Sequence, residues 1–289
     1  MQFLTFIIAY PILWFISILP FKIFYGISDM VYFVVYNLVG YRKKIVRNNL
    51  KIALPHLDDK ARLQIEKKFY RHFCDLFMEM IKTMTISAEE MQKRFKITNL
   101  ELLKEYEEKN RSIMVLASHY ASWEWLIAIN LKTSYQGVGV YKKIANRYFD
   151  KLVKDIRSEY KTELISTDKT IPLMANNQRK GILSLYGLVS DQSPKRAQIA
   201  HWENFMGIDS PVHIGPELLS KKYNLNVVFA KVTKVKRGYY EATLIPITDE
   251  PKSLPNYEII HRYIKEVEKQ IYEAPEYYFW THKRWKSRR

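Results

Sequence analysis

The stretch IMVLASHYASWEW, Ile113 to Trp125, runs from five apolar residues through a polar turn into an aromatic-rich segment. Ile113 to Ala117 fits a strand buried on both faces, and Ala121 to Leu131 fits a helix. The same alternation continues downstream. Gly137 to Tyr141 reads as a strand, Phe149, Leu152, Val153 and Ile156 mark a helix, and Leu164 to Ser166 and Ile182 to Val189 are further strands. Strands alternating with helices predict an α/β fold with a mixed, mostly parallel sheet flanked by helices. Val227 to Val235 and Tyr239 to Ile247 flank Lys236-Arg237-Gly238, a hairpin signal that predicts antiparallel edge strands. A helix is expected from Asn256 to Tyr272. Upstream, Asp58 to Met84 carries Phe69, Phe73, Phe77, Met80, Ile81 and Met84 at helical spacing, and Ser87 to Lys96 reads as a polar connector. No repeat, low-complexity segment or long linker divides residues 90 to 289.

Outside this region, charge and hydropathy narrow the possibilities. The 289 residues carry 46 Lys and Arg against 30 Asp and Glu, a formal charge of +16, yet 47% are hydrophobic, which excludes a disordered chain. An acidic partner is expected, and charge alone does not choose between nucleic acid, an anionic membrane, a phosphorylated lipid and an acidic carrier protein. The single cysteine, Cys74, falls among apolar positions and reads as buried; no disulfide framework is possible and no zinc pattern is present.

Met1 to Phe21 has no charged residue, and Phe3 to Leu19 approaches the ~20 apolar residues that cross a bilayer. A basic region before the apolar run and a small-residue cleavage site are both missing, so the segment reads as a retained anchor. Arg42, Lys43, Lys44, Arg47 and Lys51 follow, and such clusters stay on the cytoplasmic side. The expected organisation is an N-terminal membrane-anchoring helix within residues 1–40 and a cytoplasmic body of residues 41–289. Pro11 and the short length leave a tilted or interfacial insertion open, and a core helix is the alternative with no membrane at all.

His119 and Glu124 stand five positions apart. That spacing is weak by itself, since roughly 0.7 such pairs arise by chance in a chain with seven His. His261 and Glu266 repeat it inside a helix, where residues five apart are rotated by about 140° and cannot meet. His119 differs because it lies at the turn after a strand, where ligands bind in open α/β sheets and Glu124 can reach back to the imidazole. A histidine held by a carboxylate can take a proton from a hydroxyl, the carboxylate orienting it. No Gly-x-Ser-x-Gly elbow is present, which favours direct transfer over a covalent acyl-enzyme. A helix cap beside a surface carboxylate fits the same residues.

SHYASWEW resembles the His-x4-Asp/Glu signature of glycerolipid and lysophospholipid acyltransferases, in the His-x-x-x-Trp-Glu form of the lipid A biosynthesis lauroyl/myristoyl acyltransferase family. YRKKIVRNNLKIALPHL, GVYKKIANRYFDKLVKDIRSEY, LVSDQSP with ENFMG, and YYFWTHKRWK resemble further blocks of that family in the same order, so the likeness spans nearly the whole chain. The resemblance implies a glycerolipid acyltransferase-like sheet on an inner-membrane anchor, its catalytic body facing the cytoplasm. It implies an acyl carrier protein thioester as donor and a hydroxyl on a phosphorylated glycolipid, a lipid A precursor, as acceptor. From the residues themselves no cofactor, metal or nucleic acid is expected, and the basic charge adds an anionic membrane surface as a third expected partner.

By the same likeness Arg157 and Asp191 assist His119 and Glu124 or position donor and acceptor, and Ser122 and Trp123 lie where substrate contacts are expected; Lys142 and Asn146 are candidates for phosphate or a phosphopantetheine arm, and Gln192 can both donate and accept. Asp191 also ends an apolar run, as a site residue would, though Asp191, Ser193 and Pro194 fit an ordinary turn. Arg157 and Lys142 read equally as solvated residues. The family pattern has Gly-Asn where this chain has Ala121-Ser122, and Phe-Phe-Gly where it has Phe205-Met206-Gly207, which bears on acceptor identity and chain length. Lysophosphatidic acid or another glycolipid is the alternative acceptor, and a basic membrane-associated nucleic-acid binder the alternative from a different class. In the tail from Tyr277 to Arg289 the aromatic and basic residues fit either a membrane-seating surface or core aromatics with a solvated terminus.

Overall fold

A computed structural model describes residues 2–289. The N-terminal third is helical: α1 (Gln2–Ile18), α2 (Phe21–Tyr32) running on into a π-helical segment (Phe33–Val39), α3 (Lys43–Ala53), α4 (Asp59–Lys82) and α5 (Ala88–Arg94). Then follow β1 (Phe95–Ile97), α6 (Glu101–Glu108), β2 (Ile113–Ala117), a 3-10 helix (Trp123–Lys132), β3 (Gln136–Tyr141), α7 (Arg147–Ser158), β4 (Thr162–Ser166), α8 (Thr170–Arg179) and β5 (Ser184–Val189). The chain ends with a small hairpin, β6 (His201–Phe205) and β7 (Ile208–Val212), then α9 (Gly215–Tyr223), β8 (Asn226–Lys236), β9 (Tyr239–Thr248) and α10 (Glu258–Glu273).

Seven strands form one sheet in the order β1-β9-β8-β2-β5-β3-β4. All neighbours are parallel except β8 and β9. The predicted hairpin is present, but β8 pairs with β2 and β9 with β1, so the two strands lie inside the sheet and not at its edge. The segment read as a polar connector holds α5, and its end runs into the edge strand β1, whose three residues are too few to show alternation. The helix expected from Ala121 to Leu131 after β2 is present as a 3-10 helix over Trp123–Lys132.

All five residues of β2 are buried, as an interior parallel strand requires. Ile113, Val115 and Ala117 pack with Leu103 and Tyr106 of α6 on one face; Met114 and Leu116 join α4 and α10 on the other. The long helix α4 starts where its N-cap Asp58 accepts the Ala61 amide at 2.7 Å, and it runs beneath the sheet as a buried spine. Three of its carboxylates tie down the N-terminal helices. Glu79 accepts from Tyr25, Asp75 from Ser28, and Glu66 from Tyr36. Among the described residues no single helix is long and apolar enough to cross a membrane; the segments Phe21–Val39 and Lys43–Ala53, which pass that test only together, meet at a bend of 92°. Gly40 and Arg42 make that bend with φ of 64° and 53°.

Gly137 in β3 lies against the buried Asn130 amide, which donates to Thr162 Oγ1 at 2.7 Å, and a Cβ there would overlap the amide. Gly137→Ala is expected to lower the unfolding free energy by about 1–3 kcal/mol, the usual cost of overfilling a packed core. Urea unfolding of the two proteins checks this, with Gly181→Ala, which meets no neighbour but sits at positive φ, as a contrasting backbone-only change.

Candidate active site

Strands β2 and β5 are adjacent and parallel, with Ala117 opposite Val189. His119 and Asp191 each lie two residues beyond those ends, so the register alone brings them side by side. Asp191 Oδ1 is 2.6 Å from His119 Nδ1 and accepts the His119 amide at 3.1 Å. Asp191 is fully buried, and its other oxygen, Oδ2, has no hydrogen-bond partner among the described residues. Burial works to raise its pKa, but the His119 charge and the hydrogen bonds from the imidazole and amide outweigh it and hold the carboxyl below its ordinary value. An ionised carboxylate accepts only, so Nδ1 is the donor in this contact, and the tautomer that keeps its hydrogen on Nδ1 has its lone pair on Nε2.

A C-terminal strand segment clamps the loop that follows. Tyr120 bridges Tyr278, the Ala121 amide donates to Tyr277 O at 3.0 Å, and the Phe279 amide donates to His119 O at 3.0 Å. Ala121 reverses the chain in the left-handed region, φ 48°. Trp123 then packs edge-on to His119 at 5.2 Å, and Phe279 lies 6.0 Å from the imidazole and 5.5 Å from the Trp123 ring. The imidazole thus packs against a pair of mutually touching aromatic rings, with the Asp191 carboxylate on its Nδ1. Trp125 is fully buried and anchors the 3-10 helix by donating to Thr83 Oγ1 on α4 at 3.2 Å.

The expectation that Glu124 reaches His119 is corrected. Glu124 forms its ion pair with Arg157 of α7, whose Nη1 also reaches the Glu124 carbonyl at 3.5 Å. The carboxylate on the imidazole is Asp191. Two causes combine: the Ala121 reversal starts a 3-10 helix that leads Glu124 toward α7, and strand register delivers Asp191 from the other side. Burial pushes the Arg157 guanidinium down to about 10, which leaves it charged at neutral pH.

Around these four residues the remaining candidates separate. Ser122 is buried and its hydroxyl has no partner among the described residues, while Gln192 is half-buried beside Asp191. Lys142 and Lys143 are exposed after β3. Asn146 caps α7, accepting the Tyr148 amide at 3.0 Å, and its Nδ2 donates to Gln2 O at 3.0 Å; both bonds are structural. His261 meets Glu203 at 3.1 Å, not Glu266, which pairs with Lys269. No group of three or more His, Cys, Asp or Glu placed to hold a metal ion occurs among the described residues. A cleft of about 640 Å³ lined by Asp29, Arg71, His72, Asp75, Lys234 and Arg237 does not include His119, and Arg237 in it is already paired with Asp29 and Asp75.

The C-terminal block belongs to the core of the site. Trp280, Arg284 and Trp285 are buried, with Lys283, Lys286, Arg288 and Arg289 exposed. Arg284 Nη1 donates to Pro211 O at 3.0 Å and Ser193 Oγ at 3.1 Å, and the guanidinium lies 4.8 Å from the Phe205 ring. Burial lowers its pKa while the Asp191 charge works to raise it, so the buried guanidinium and the buried carboxylate lie within electrostatic reach of each other. Asn49 joins the N-terminal basic block to this tail through bonds of 2.7 Å to Trp280 O and His282 O. Residue-by-residue reasoning gave no site role to Phe279, His282 or Arg284; the quoted YYFWTHKRWK block was the signal that contained them.

A profile of the bacterial lipid A biosynthesis acyltransferase family matches residues 2–287. The chain belongs to that family. The lipid A biosynthesis lauroyltransferase of Escherichia coli (strain K12) is 23% identical over 279 residues, covering 96% of this chain and 90% of that protein. The lipid A biosynthesis palmitoleoyltransferase of the same strain is 24% identical over 253 residues, covering 86% and 79%. A lipid A biosynthesis acyltransferase of Shigella flexneri gives the same figures. The protein is an acyltransferase, and its family blocks, far apart in sequence, meet around His119.

His282 supplies a pH test of the packing behind the site. Burial pushes its imidazole down to about 4, although Asp191 works in the opposite direction. The unfolded chain, with a histidine near 6.5, takes up the proton first, so this group costs stability as pH falls from about 6.5 to about 4 and adds no further loss below that. The stability difference between wild type and His282→Gln should therefore be flat above pH 7 and shift against the wild type across that window, read by urea unfolding at pH 7.5, 5.5 and 4.

Proposed function

We propose that the protein moves a fatty acyl chain from an acyl carrier protein thioester to a hydroxyl of a lipid A precursor, a secondary acylation, at the cytoplasmic face of the inner membrane. His119 is the general base. The observation that carries this reading is the 2.6 Å contact between its Nδ1 and the buried Asp191, which fixes the tautomer and leaves Nε2 to act. Nε2 takes the acceptor hydroxyl proton as the oxygen attacks the thioester carbonyl; the tetrahedral intermediate collapses with cleavage of the C–S bond, and the same proton goes to the departing thiolate. Ester and thiol are the products. Ser118 donates to Gln270 at 3.0 Å and Ser122 is buried, so neither neighbouring hydroxyl is presented as a competing nucleophile.

Glu124 and Arg157 form the other wall. Their pairing locks the first turn of the 3-10 helix to α7 and so sets the position of Trp123 against His119. The exposed Lys142 and Lys143 and the net charge of +16 favour an acidic carrier and a phosphorylated acceptor through long-range attraction. Family membership supports the lipid A acceptor, and the relatives that bear lipid A names support it further.

His119→Ala is expected to abolish transfer and Asp191→Asn to lower kcat by at least ~100-fold, since losing an acid/base group or its orienting partner costs 10²–10⁴. His261→Ala should leave the rate within about twofold, because nothing ties it to the site. Glu124→Gln and Arg157→Gln break one pair, so their double variant should lose no more activity than the worse single variant.

The defining assay offers carrier-bound and coenzyme A-bound acyl donors with a tetra-acylated phosphorylated disaccharide lipid or lysophosphatidic acid, and reads products by mass. Ester on the disaccharide lipid from the carrier-bound donor is the expected outcome. Transfer to lysophosphatidic acid alone would overturn the acceptor while leaving His119 as base; no transfer to either by folded protein would sink the proposed reaction.

A further inference from the structure

The first helix presents an unusual geometry for a membrane anchor. It is apolar on both sides. Phe6, Ala9, Tyr10, Leu13, Ile16 and Ser17 turn toward the body, while Ile7, Ile8, Ile12, Phe15 and Ile18 face outward, between 44% and 59% exposed. Both ends are fastened to the same body. At the N-terminal end Gln2 donates to Ala145 O at 3.2 Å and accepts from Asn146 at 3.0 Å, and Phe6 packs on Phe149 at 5.2 Å. At the C-terminal end the buried Lys82 ammonium donates to Ser17 O at 2.6 Å and Leu19 O at 2.7 Å, joined by Thr85 to Ser17 O at 2.7 Å. A cation there also satisfies the carbonyls that every helix leaves open at its end.

A helix with both ends bonded to one side of a protein does not carry its ends to opposite faces of a bilayer. Length agrees: 17 residues reach about 25 Å at 1.5 Å each, short of the ~30 Å hydrocarbon thickness. The second segment is held in the same way. Tyr25, Ser28 and Tyr36 bond to α4 and Asp29 to Arg237, while Phe33, Val34, Leu38 and Val39 face out.

We infer that the protein is monotopic, with α1 and the Phe21–Val39 segment lying in the plane of a single anionic leaflet and neither crossing it. This rests on the membrane placement proposed above and chooses interfacial insertion over the spanning alternative that the sequence left open. A bilayer is the occupant that fits, because the outward face of α1 carries no charge and the exposed Lys22, Arg42 and Lys44 flank the apolar band, where each gains from anionic headgroups. A row of rings connects the end of the second segment to the site. Exposed Tyr41 lies 6.0 Å from Phe73, Phe73 4.8 Å from Phe77, and Phe77, 43% exposed, 6.4 Å from Phe279, the ring that packs against His119, which gives an amphiphilic substrate an apolar route from the leaflet to the base.

Depth measurement tests this on the full chain. Single cysteines at Leu4, Ile8, Ile12 and Ile18 carry a nitroxide; these positions are exposed, so packing is untouched, and Cys74 stays in place because burial pushes its thiol up to about 12. Oxygen and a water-soluble nickel complex report depth by spin relaxation in vesicles of phosphatidylethanolamine and phosphatidylglycerol. The expected result is four labels in one leaflet at similar depth, roughly 5–10 Å below the headgroups. Labels at Leu4 and Ile18 in opposite leaflets with a maximum between them would overturn the inference, as would four water-exposed labels, which would assign the face to a protein partner. Because depth is read and not turnover, failure here leaves the acyl-transfer reading standing, and failure of that reading leaves this one.

Discussion

The parallel pairing of β2 with β5 is the constraint on which the site depends. With Ala117 opposite Val189, the first residues past each strand end are also in step, and His119 meets Asp191 without any special loop. A slip of one residue along β5 would turn Asp191 away from the imidazole and bring apolar side chains to the wrong face of the sheet. Burial on both faces of β2 is what fixes the register. The apolar core therefore does chemical work: it specifies, through packing alone, which carboxylate the histidine receives.

A buried carboxylate needs compensation, since an unpaired charge in the interior is far costlier than a neutral group. Here the compensation is layered. The imidazole and the His119 amide hold one oxygen, and the buried Arg284 supplies positive charge within electrostatic reach. Arg284 in turn is held by Ser193 and Pro211, and the tail that bears it is bonded to Asn49 of α3. The tail's aromatic residues are thus core, and of its basic residues one is buried within the site while others face solvent.

Two departures from the family pattern coincide with unusual backbone. Ala121 has φ 48° where the resemblance expects glycine, and Met206 has φ 57° at the tip of the β6–β7 hairpin, followed by Gly207 at 77°. Left-handed geometry costs a residue with a Cβ roughly 1–2 kcal/mol, so both turns are maintained by their surroundings. At Ala121 the surroundings are the Tyr277 carbonyl and the bridge from Tyr120 to Tyr278; at Met206 they are Glu268, which accepts its amide. The strain lies in the loop that carries Trp123 and Glu124 into the site.

Much of this was legible in the chain itself. The buried run Ile113–Ala117, the strand–helix alternation, the long helix from Asp59 and the hairpin signal around Gly238 are local patterns of side-chain type, and local patterns survive being read one segment at a time. The short β1, the interior position of the hairpin and the 3-10 winding of the helix after β2 were not legible, because each depends on neighbours distant in sequence. The same divide runs through the site. The sequence singled out His119 and Asp191 as polar residues after apolar runs and Glu124 by its spacing from His119, while Arg157 came from the family resemblance. Which carboxylate serves the histidine was decided only by tertiary structure: Asp191 lies 72 positions away and arrives through strand register, whereas Glu124, five positions away, is carried to Arg157 by a reversal at Ala121. Likewise, composition made the N-terminal segment apolar, but the bonds from Asn146 and Lys82 decided that it lies along the body, because hydrophobicity sets what a helix avoids and only its end contacts set where it points.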